Sequence, residues 1–73
     1  MAMVGAAWLG VATAPPRVGA SLVIGTWVSP DFLVTSPVTR VFRRNDGVLV
    51  QTLSKSRYFV EPSGDAYCVR RLG

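Results

Sequence analysis

Residues 38–61, with the sequence VTRVFRRNDGVLVQTLSKSRYFVE, alternate short β-rich runs with turn signals. The strongest turn signal is Asn45-Asp46-Gly47, because Asn and Asp tolerate a positive φ and Gly favours it, as a tight hairpin demands. Ser54-Lys55-Ser56 supplies a second short turn. The segment therefore predicts a three-stranded antiparallel meander, with strands at residues 38–44, 48–53 and 57–61.

The same alternation of strand and turn continues on both sides of this meander. Residues 20–29, ASLVIGTWVS, predict a strand that is covered on both sides, because both of its faces are apolar. Gly25 in its interior predicts a bend or bulge. After a turn, residues 32–36 resume an extended run, which Pro37 would confine to a sheet edge or a strand start. Near the C-terminus, residues 66–72 predict a last short strand or a brief helical turn.

The composition favours strands along the whole chain. Of 73 residues, 49% are hydrophobic, and twelve Val, one Ile and five Thr are β-branched. Seven Gly and five Pro recur at short intervals and leave no uninterrupted window for a long amphipathic helix. The predicted fold class is all-β: a small curled antiparallel meander or an SH3-like barrel, with a short helix or strand at the N-terminus.

A chain of this length predicts one domain. We expect residues 1–73 to form a single small β domain, with an apolar N-terminal segment (1–17), a core meander (18–62) and a C-terminal segment (63–73). Only 16% of the residues are charged, against about 25% in typical globular chains. Little polar surface is therefore available, and we expect a homo-oligomer.

The residue types present exclude several chemistries. The chain has no His, which removes imidazole catalysis, His metal ligation and any Ser–His or Cys–His pair. Its one cysteine, Cys68, cannot form an internal disulfide or a thiolate metal cluster. The four acidic residues fall in or beside predicted turns, and Lys55 on an exposed turn should stay protonated. We therefore expect no enzyme, no catalytic residue, no cofactor and no metal.

The N-terminal segment allows two interpretations. Residues 1–16 carry no charge, and Ala12-Thr13-Ala14 has the small-x-small form of a signal-peptidase site. Against a secretory signal, no Lys or Arg precedes the apolar stretch, and cleavage would fall directly before Pro15. The alternative is a strand or short helix that donates apolar residues to the core. We expect a cytoplasmic protein with no membrane partner, and keep secretion as the alternative.

One face of the predicted meander combines arginines with aromatic rings. Side chains alternate along a strand, so Arg40, Phe42 and Arg44 share one side. If Phe59 lies on that side too, the surface could stack bases and neutralise phosphates, as single-strand binders do. Alternatively, the two Phe rings are core residues and arginine stems cover the rim. The nucleic-acid hypothesis uses Arg40, Phe42, Arg43, Arg44, Arg57 and Phe59.

Two stretches around the Asn-Asp-Gly turn, TSPVTRV at residues 35–41 and QTLSKSRY at residues 51–58, follow a pattern of the form TSPV, turn, T-x-S-G-S-x-Y. In this pattern the chain resembles small accessory proteins encoded by bacterial phages and prophages. The match covers residues 32–61, and Lys55 stands where the pattern has Gly. The resemblance implies an accessory factor in the cytoplasm of a bacterial host that binds a host protein and inhibits or modulates it.

The leading functional prediction is a non-catalytic binding protein that occupies the surface of a partner protein. Aromatic residues and arginine dominate such interfaces. The predicted partner contacts are Trp27, Phe32, Arg40, Phe42, Arg44, Arg57, Tyr58 and Phe59. The alternative is a nucleic-acid-binding β-barrel module that uses the basic and aromatic face.

Overall fold

Six antiparallel β-strands close into a barrel in the computed structural model, which describes residues 8–26 and 32–72. The strands follow one another around the barrel in chain order, and the last pairs with the first. Their bounds are β1 Gly10–Ala12, β2 Ser21–Thr26, β3 Phe32–Arg43, β4 Val48–Thr52, β5 Arg57–Ser63 and β6 Ala66–Arg71. The predicted all-β fold, a small curled antiparallel barrel, is confirmed.

The three-stranded meander of residues 38–61 is present as the second half of β3, β4 and most of β5. Val48 of β4 pairs with Arg43 on one side and with Val60 on the other, which fixes the register of all three strands. The C-terminal residues form a strand, β6, and not a helical turn. In the described part of the chain, no helix is long and apolar enough to cross a membrane.

The hairpin between β3 and β4 needs its glycine for space. None of Asn45, Asp46 and Gly47 has a positive φ, so the prediction of left-handed residues at this turn is wrong. A Cβ on Gly47 would lie 2.6 Å from the carbonyl oxygen of Val60 and 2.7 Å from the Phe59 ring. Because Phe59 packs across the hairpin, no side chain fits at position 47.

The turn between β4 and β5 places Lys55 in the left-handed region, with φ of +73°. The Lys55 amide donates to the Thr52 carbonyl oxygen at 2.9 Å, which stabilises the turn. Glycine adopts this conformation freely, whereas a residue with a Cβ pays about 1–2 kcal/mol. Lys55 therefore has a backbone conformation that glycine would adopt without this cost.

The third strand is continuous through Pro37, which the sequence predicted to lie at a sheet edge or a strand start. The first half of β3 pairs with β2 and the second half with β4. Pro37 lies at the point where the pairing changes over: its carbonyl accepts from the Leu53 amide at 2.8 Å, and the amide of Val38 donates to Ala20 at 2.9 Å. Pro37 has no N–H to donate, but this removes at most one hydrogen bond from the β2–β3 and β3–β4 ladders.

A bulge bends β3 beside Thr35. Ser21 of β2 pairs with Pro37 but Val23 pairs with Val34, so β3 carries one extra residue between these pairs. The Thr35 hydroxyl, on a residue only 8% exposed, accepts from the Leu22 amide at 2.9 Å and donates to the Ser36 carbonyl at 2.7 Å. A side chain therefore replaces a backbone partner that the bulge removes.

Gly25, which the sequence marked as a bend, pairs regularly with Val11 on one side and Phe32 on the other. That prediction is wrong, because the register shift between β2 and β3 lies at Thr35 instead. The prediction that β2 is covered on both faces is also wrong. Leu22 and Ile24 point into the barrel, whereas Val23 between them is 51% exposed.

The barrel interior holds mainly small and β-branched side chains. Thr52 is buried with them, and its hydroxyl donates to the Ser56 carbonyl at 3.3 Å. Cross-strand partners meet inside the barrel, as Val60 does with Val48 and Val69. The core residues are Ala12, Leu22, Ile24, Val38, Val50, Tyr58, Val60 and Val69.

Strand β1 closes the barrel, which confirms the strand alternative for part of the N-terminal segment. Gly10 pairs with Thr26 of β2 and with Val69 of β6, so both neighbours gain a backbone partner. A Cβ on Gly10 would collide with the carbonyl group of Gly25. Closure of the barrel therefore depends on a glycine at position 10.

Gly10→Ala is expected to lower the free energy of unfolding by about 2–3 kcal/mol, because the added methyl overlaps backbone that cannot move away without opening β1 from β2. Gly25→Ala is the matched control on the facing strand. A Cβ there meets its nearest atom at 3.6 Å, an ordinary contact, so its stability should change by less than about 1 kcal/mol. Urea denaturation followed by circular dichroism measures both variants. Equal stabilities for the two variants would contradict the role given to Gly10.

Thr35→Val should destabilise the protein by about 1–3 kcal/mol, because the isosteric side chain leaves the Leu22 amide without its partner. Thr39→Val is the control: this exposed hydroxyl donates to the Gln51 carbonyl at 3.2 Å, and water can replace the bond. Thermal denaturation of the two variants gives the comparison. A loss at Thr39 as large as that at Thr35 would show that the bulge does not depend on the buried hydroxyl.

Candidate binding surfaces

Three large apolar side chains lie exposed on the outer face of the β2–β3 hairpin. Phe32 is 70%, Val34 60% and Val23 51% exposed. Val23 and Val34 are direct cross-strand partners, and Phe32 lies opposite Gly25, which has no side chain to cover the ring. We call these three residues the apolar ribbon. They form a neighbouring set on one face, which distinguishes them from single exposed hydrophobic residues on ordinary surfaces.

A second surface follows the outer faces of β3, β4 and β5 in two rows. In the first row, Leu49 pairs with Phe42 on one side and with Phe59 on the other. Paired residues share a face, so the condition set by the nucleic-acid hypothesis, that the two Phe rings lie on one side, is met. In the second row, Gln51 pairs with Arg40 and Arg57, both of which are exposed. We call these two rows the arginine–aromatic face.

Phe59 lies outside the barrel and is nevertheless covered. It is 8% exposed, because the Arg70 guanidinium lies over its ring at 5.4 Å from the centroid and Gly47 lies beneath the ring edge. Arg70 also stacks on Trp8, at 5.2 Å from that ring. Its Nε is buried, with no hydrogen-bond partner among the described residues, so the two rings are its principal contacts. Arg70 therefore covers the Phe59 ring and shields it from solvent.

The structure separates the predicted contact residues by their exposure. Tyr58 is 5% exposed and belongs to the core, so its side chain is not presented to a partner. Phe59 is covered by Arg70, and Trp27 lies outside the described residues. The predicted contacts that lie exposed at the surface are Phe32, Arg40, Phe42, Arg44 and Arg57.

Sequence reasoning missed several residues of both surfaces. Val23 and Val34 were not predicted as contacts, although alternation places Val23 on the face opposite Leu22 and Ile24, which are buried in the barrel. Arg70 was not connected with Phe59, because their contact depends on the register between β5 and β6, where the two residues are partners. The signal that could have given this register is the Gly64-Asp65 turn, because a two-residue loop between Ser63 and Ala66 places Phe59 opposite Arg70.

In the described ranges, no three His, Cys, Asp or Glu side chains lie close enough together to hold a metal ion. Cys68 is a free thiol, half-buried on the outer side of β6 opposite Glu61 and Val11. Comparisons of the chain with protein-family models, with curated proteins and with solved structures gave no match.

Proposed function

We propose that this protein is a non-catalytic binding protein that occupies the surface of a partner protein through its apolar ribbon. The observation that carries the proposal is the exposure of Phe32, Val34 and Val23 side by side on one hairpin. A protein with 16% charged residues and such a surface gains free energy by burying it. A large exposed aromatic ring beside apolar neighbours is a typical anchor of a protein interface.

The closed barrel constrains how a partner can bind. Each of the six strands has a neighbouring strand on both sides, so no whole strand is left as a free edge. The pairing of β3 is divided, however: residues 32–37 pair with β2 and residues from Val38 onward pair with β4. The proposed recognition uses side chains on the outer faces. The apolar ribbon contains Phe32, which at 70% has the largest exposed fraction of the large apolar side chains in the described residues.

The identity of the partner follows from the resemblance to phage accessory proteins and stays part of the proposal. The partner is a host protein in the cytoplasm of a bacterial host, and binding inhibits or modulates it. In the absence of that partner, a second copy of the chain covers the same ribbon. The homo-oligomer and the complex with the host protein are then alternative ways to bury Phe32.

Phe32→Ser is expected to abolish self-association and to weaken partner binding at least about 30-fold, the loss typical of an interface anchor. Leu53→Ser is the control, because Leu53 is 65% exposed but lies in the β4–β5 turn, outside the ribbon. Light scattering coupled to size-exclusion chromatography gives the mass, for which a monomer is 7.9 kDa. Pull-down from nuclease-treated host extract tests partner binding.

Two outcomes would contradict the proposal. If the wild-type protein remains a monomer at high concentration and retains no host protein, the ribbon is not a binding interface. Equal retention by the Phe32 and Leu53 variants would place the interface elsewhere. Circular dichroism of both variants checks that the barrel is intact, as we expect for substitutions at exposed positions.

A nucleic-acid-binding module is the second candidate, and the observation that favours it is the row of Arg40, Gln51 and Arg57 beside Phe42 and Leu49. The net charge of +4 has the right sign for a phosphate backbone. Against it, Phe59 lies under Arg70 at 8% exposure, so Phe42, at 45%, is the one Phe of the face that is free to stack on a base. A single stacking ring is weak support for a single-strand platform.

The protein-binding proposal predicts no measurable affinity for a short oligothymidylate at low salt. Suppose that binding occurs through the arginine–aromatic face. The slope of the logarithm of the binding constant against the logarithm of the salt concentration should then become less steep by about 0.7 in Arg40→Gln and in Arg57→Gln, because each variant removes one phosphate contact. Arg17→Gln, in the connection between β1 and β2, is the control for net charge. Fluorescence anisotropy across a salt series measures the slopes. Tight, salt-dependent binding that both face variants weaken more than the control would favour the nucleic-acid function.

A further inference from the structure

One end of the barrel contains a cavity of about 340 Å³. Val41, Val48 and Val60, which lie on neighbouring strands of the barrel, line this cavity together with Tyr67. Pro15 and Pro16, in the connection from β1 to β2, line the same space. The lining residues are mostly of apolar types and come from four strands and one connection, and the exposed surface of the lining contains polar and apolar atoms in similar amounts.

The size of this cavity suits a small molecule. A volume of about 340 Å³ corresponds to about eleven water molecules at about 30 Å³ each, and it falls in the range of small-ligand sites. Val41, Val48 and Tyr67 in its lining are only partly buried, so a ligand that enters displaces water from their apolar surface. An acyl chain or ring of about ten non-hydrogen atoms fits this space.

The cavity is also largely preformed. Pro62 and Tyr67, both in its lining, are cross-strand partners on β5 and β6. Pro15, Pro16 and Pro62 have fixed φ angles, so little backbone freedom remains to be lost on binding. Val48 and Val60 are held by their own pairing in the barrel wall. A preformed apolar site binds with a smaller entropic cost than one that a ligand must order.

One charged side chain, Arg43, lies in the lining of this cavity. Arg43 pairs with Val48 and therefore projects on the side of the strand that faces the cavity. It makes no ion pair within residues 8–26 and 32–72, although Glu61 and Arg44 line the open groove next to it. An unpaired guanidinium at the mouth of an apolar space selects a ligand with a planar anionic end.

We propose that the barrel-end cavity binds an apolar monocarboxylate, with its hydrocarbon part against Val41, Val48, Val60 and Tyr67 and its carboxylate on Arg43. The carboxylate belongs either to a free acid or to the C-terminal residue of a peptide, and both share this chemistry. The cavity has no residue in common with the apolar ribbon, so its ligand is separate from the proposed protein partner.

The direct test is an NMR titration of the wild-type protein at pH 7 with three probes of equal chain length: octanoate, octanol and octylammonium. Octanoate should shift the methyl signals of Val41, Val48 and Val60 and the ring signals of Tyr67, with saturation at about millimolar concentration. Octanol should bind more weakly and octylammonium most weakly, because Arg43 repels it. Equal binding of octanoate and octylammonium, or no shift at these residues, would overturn the proposal.

Arg43→Gln should reduce octanoate affinity about 10-fold and leave octanol affinity unchanged, because only the charge-assisted bond is lost. Arg57→Gln removes the same charge from the outer face and should change neither affinity. A loss of octanoate binding in both variants would assign the effect to net charge and would contradict the role of Arg43. Acetyl-Gly-Leu, tested as acid and as amide, separates the two sources: tighter binding of its acid than of octanoate indicates a peptide C-terminus, and weaker binding indicates a free acid.

Discussion

The backbone pairing of β1 between β2 and β6 is the constraint on which the rest of the barrel depends. This strand has only three residues, yet it gives a hydrogen-bonded neighbour to two strands that would otherwise present open edges. Gly10 lies so close to β2 that a Cβ at this position would collide with the carbonyl group of Gly25. A short strand at this distance closes six strands into a barrel with a narrow interior.

The narrow interior determines which side chains go outside. Valines, one Ile, one Leu and one Ala fill most of the core, and Tyr58 is the single aromatic ring among the core residues. The Phe residues lie on the outer faces, where each has a different environment. Phe59 is covered by Arg70, Phe42 is 45% exposed beside Leu49, and Phe32 is 70% exposed. The surface proposed to bind a partner thus consists of large apolar residues that strand alternation and register place on the outside of the barrel.

Local patterns predicted the meander well, because alternation and turn residues act between neighbours in sequence. The features that were not predicted depend on contacts between residues that are distant in the sequence. Strand β1 is too short to show a pattern, and β3 continues through Pro37 because its pairing changes from β2 to β4 there. For the site, alternation showed which residues share a face but not which face is inside. Tyr58 was therefore predicted as a contact and is found in the core, and Phe59 was not connected with Arg70.

Amide hydrogen exchange in strand β1 tests barrel closure most directly. If β1 is an integral strand, the amides of Gly10, Val11 and Ala12 should exchange only through global unfolding, with the same opening free energy as the amide of Val60 in the core. Exchange of the β1 amides near the rate of an unstructured chain, while Val60 remains protected, would show that the sheet is open. That result would contradict the closed barrel from which the binding surfaces were derived.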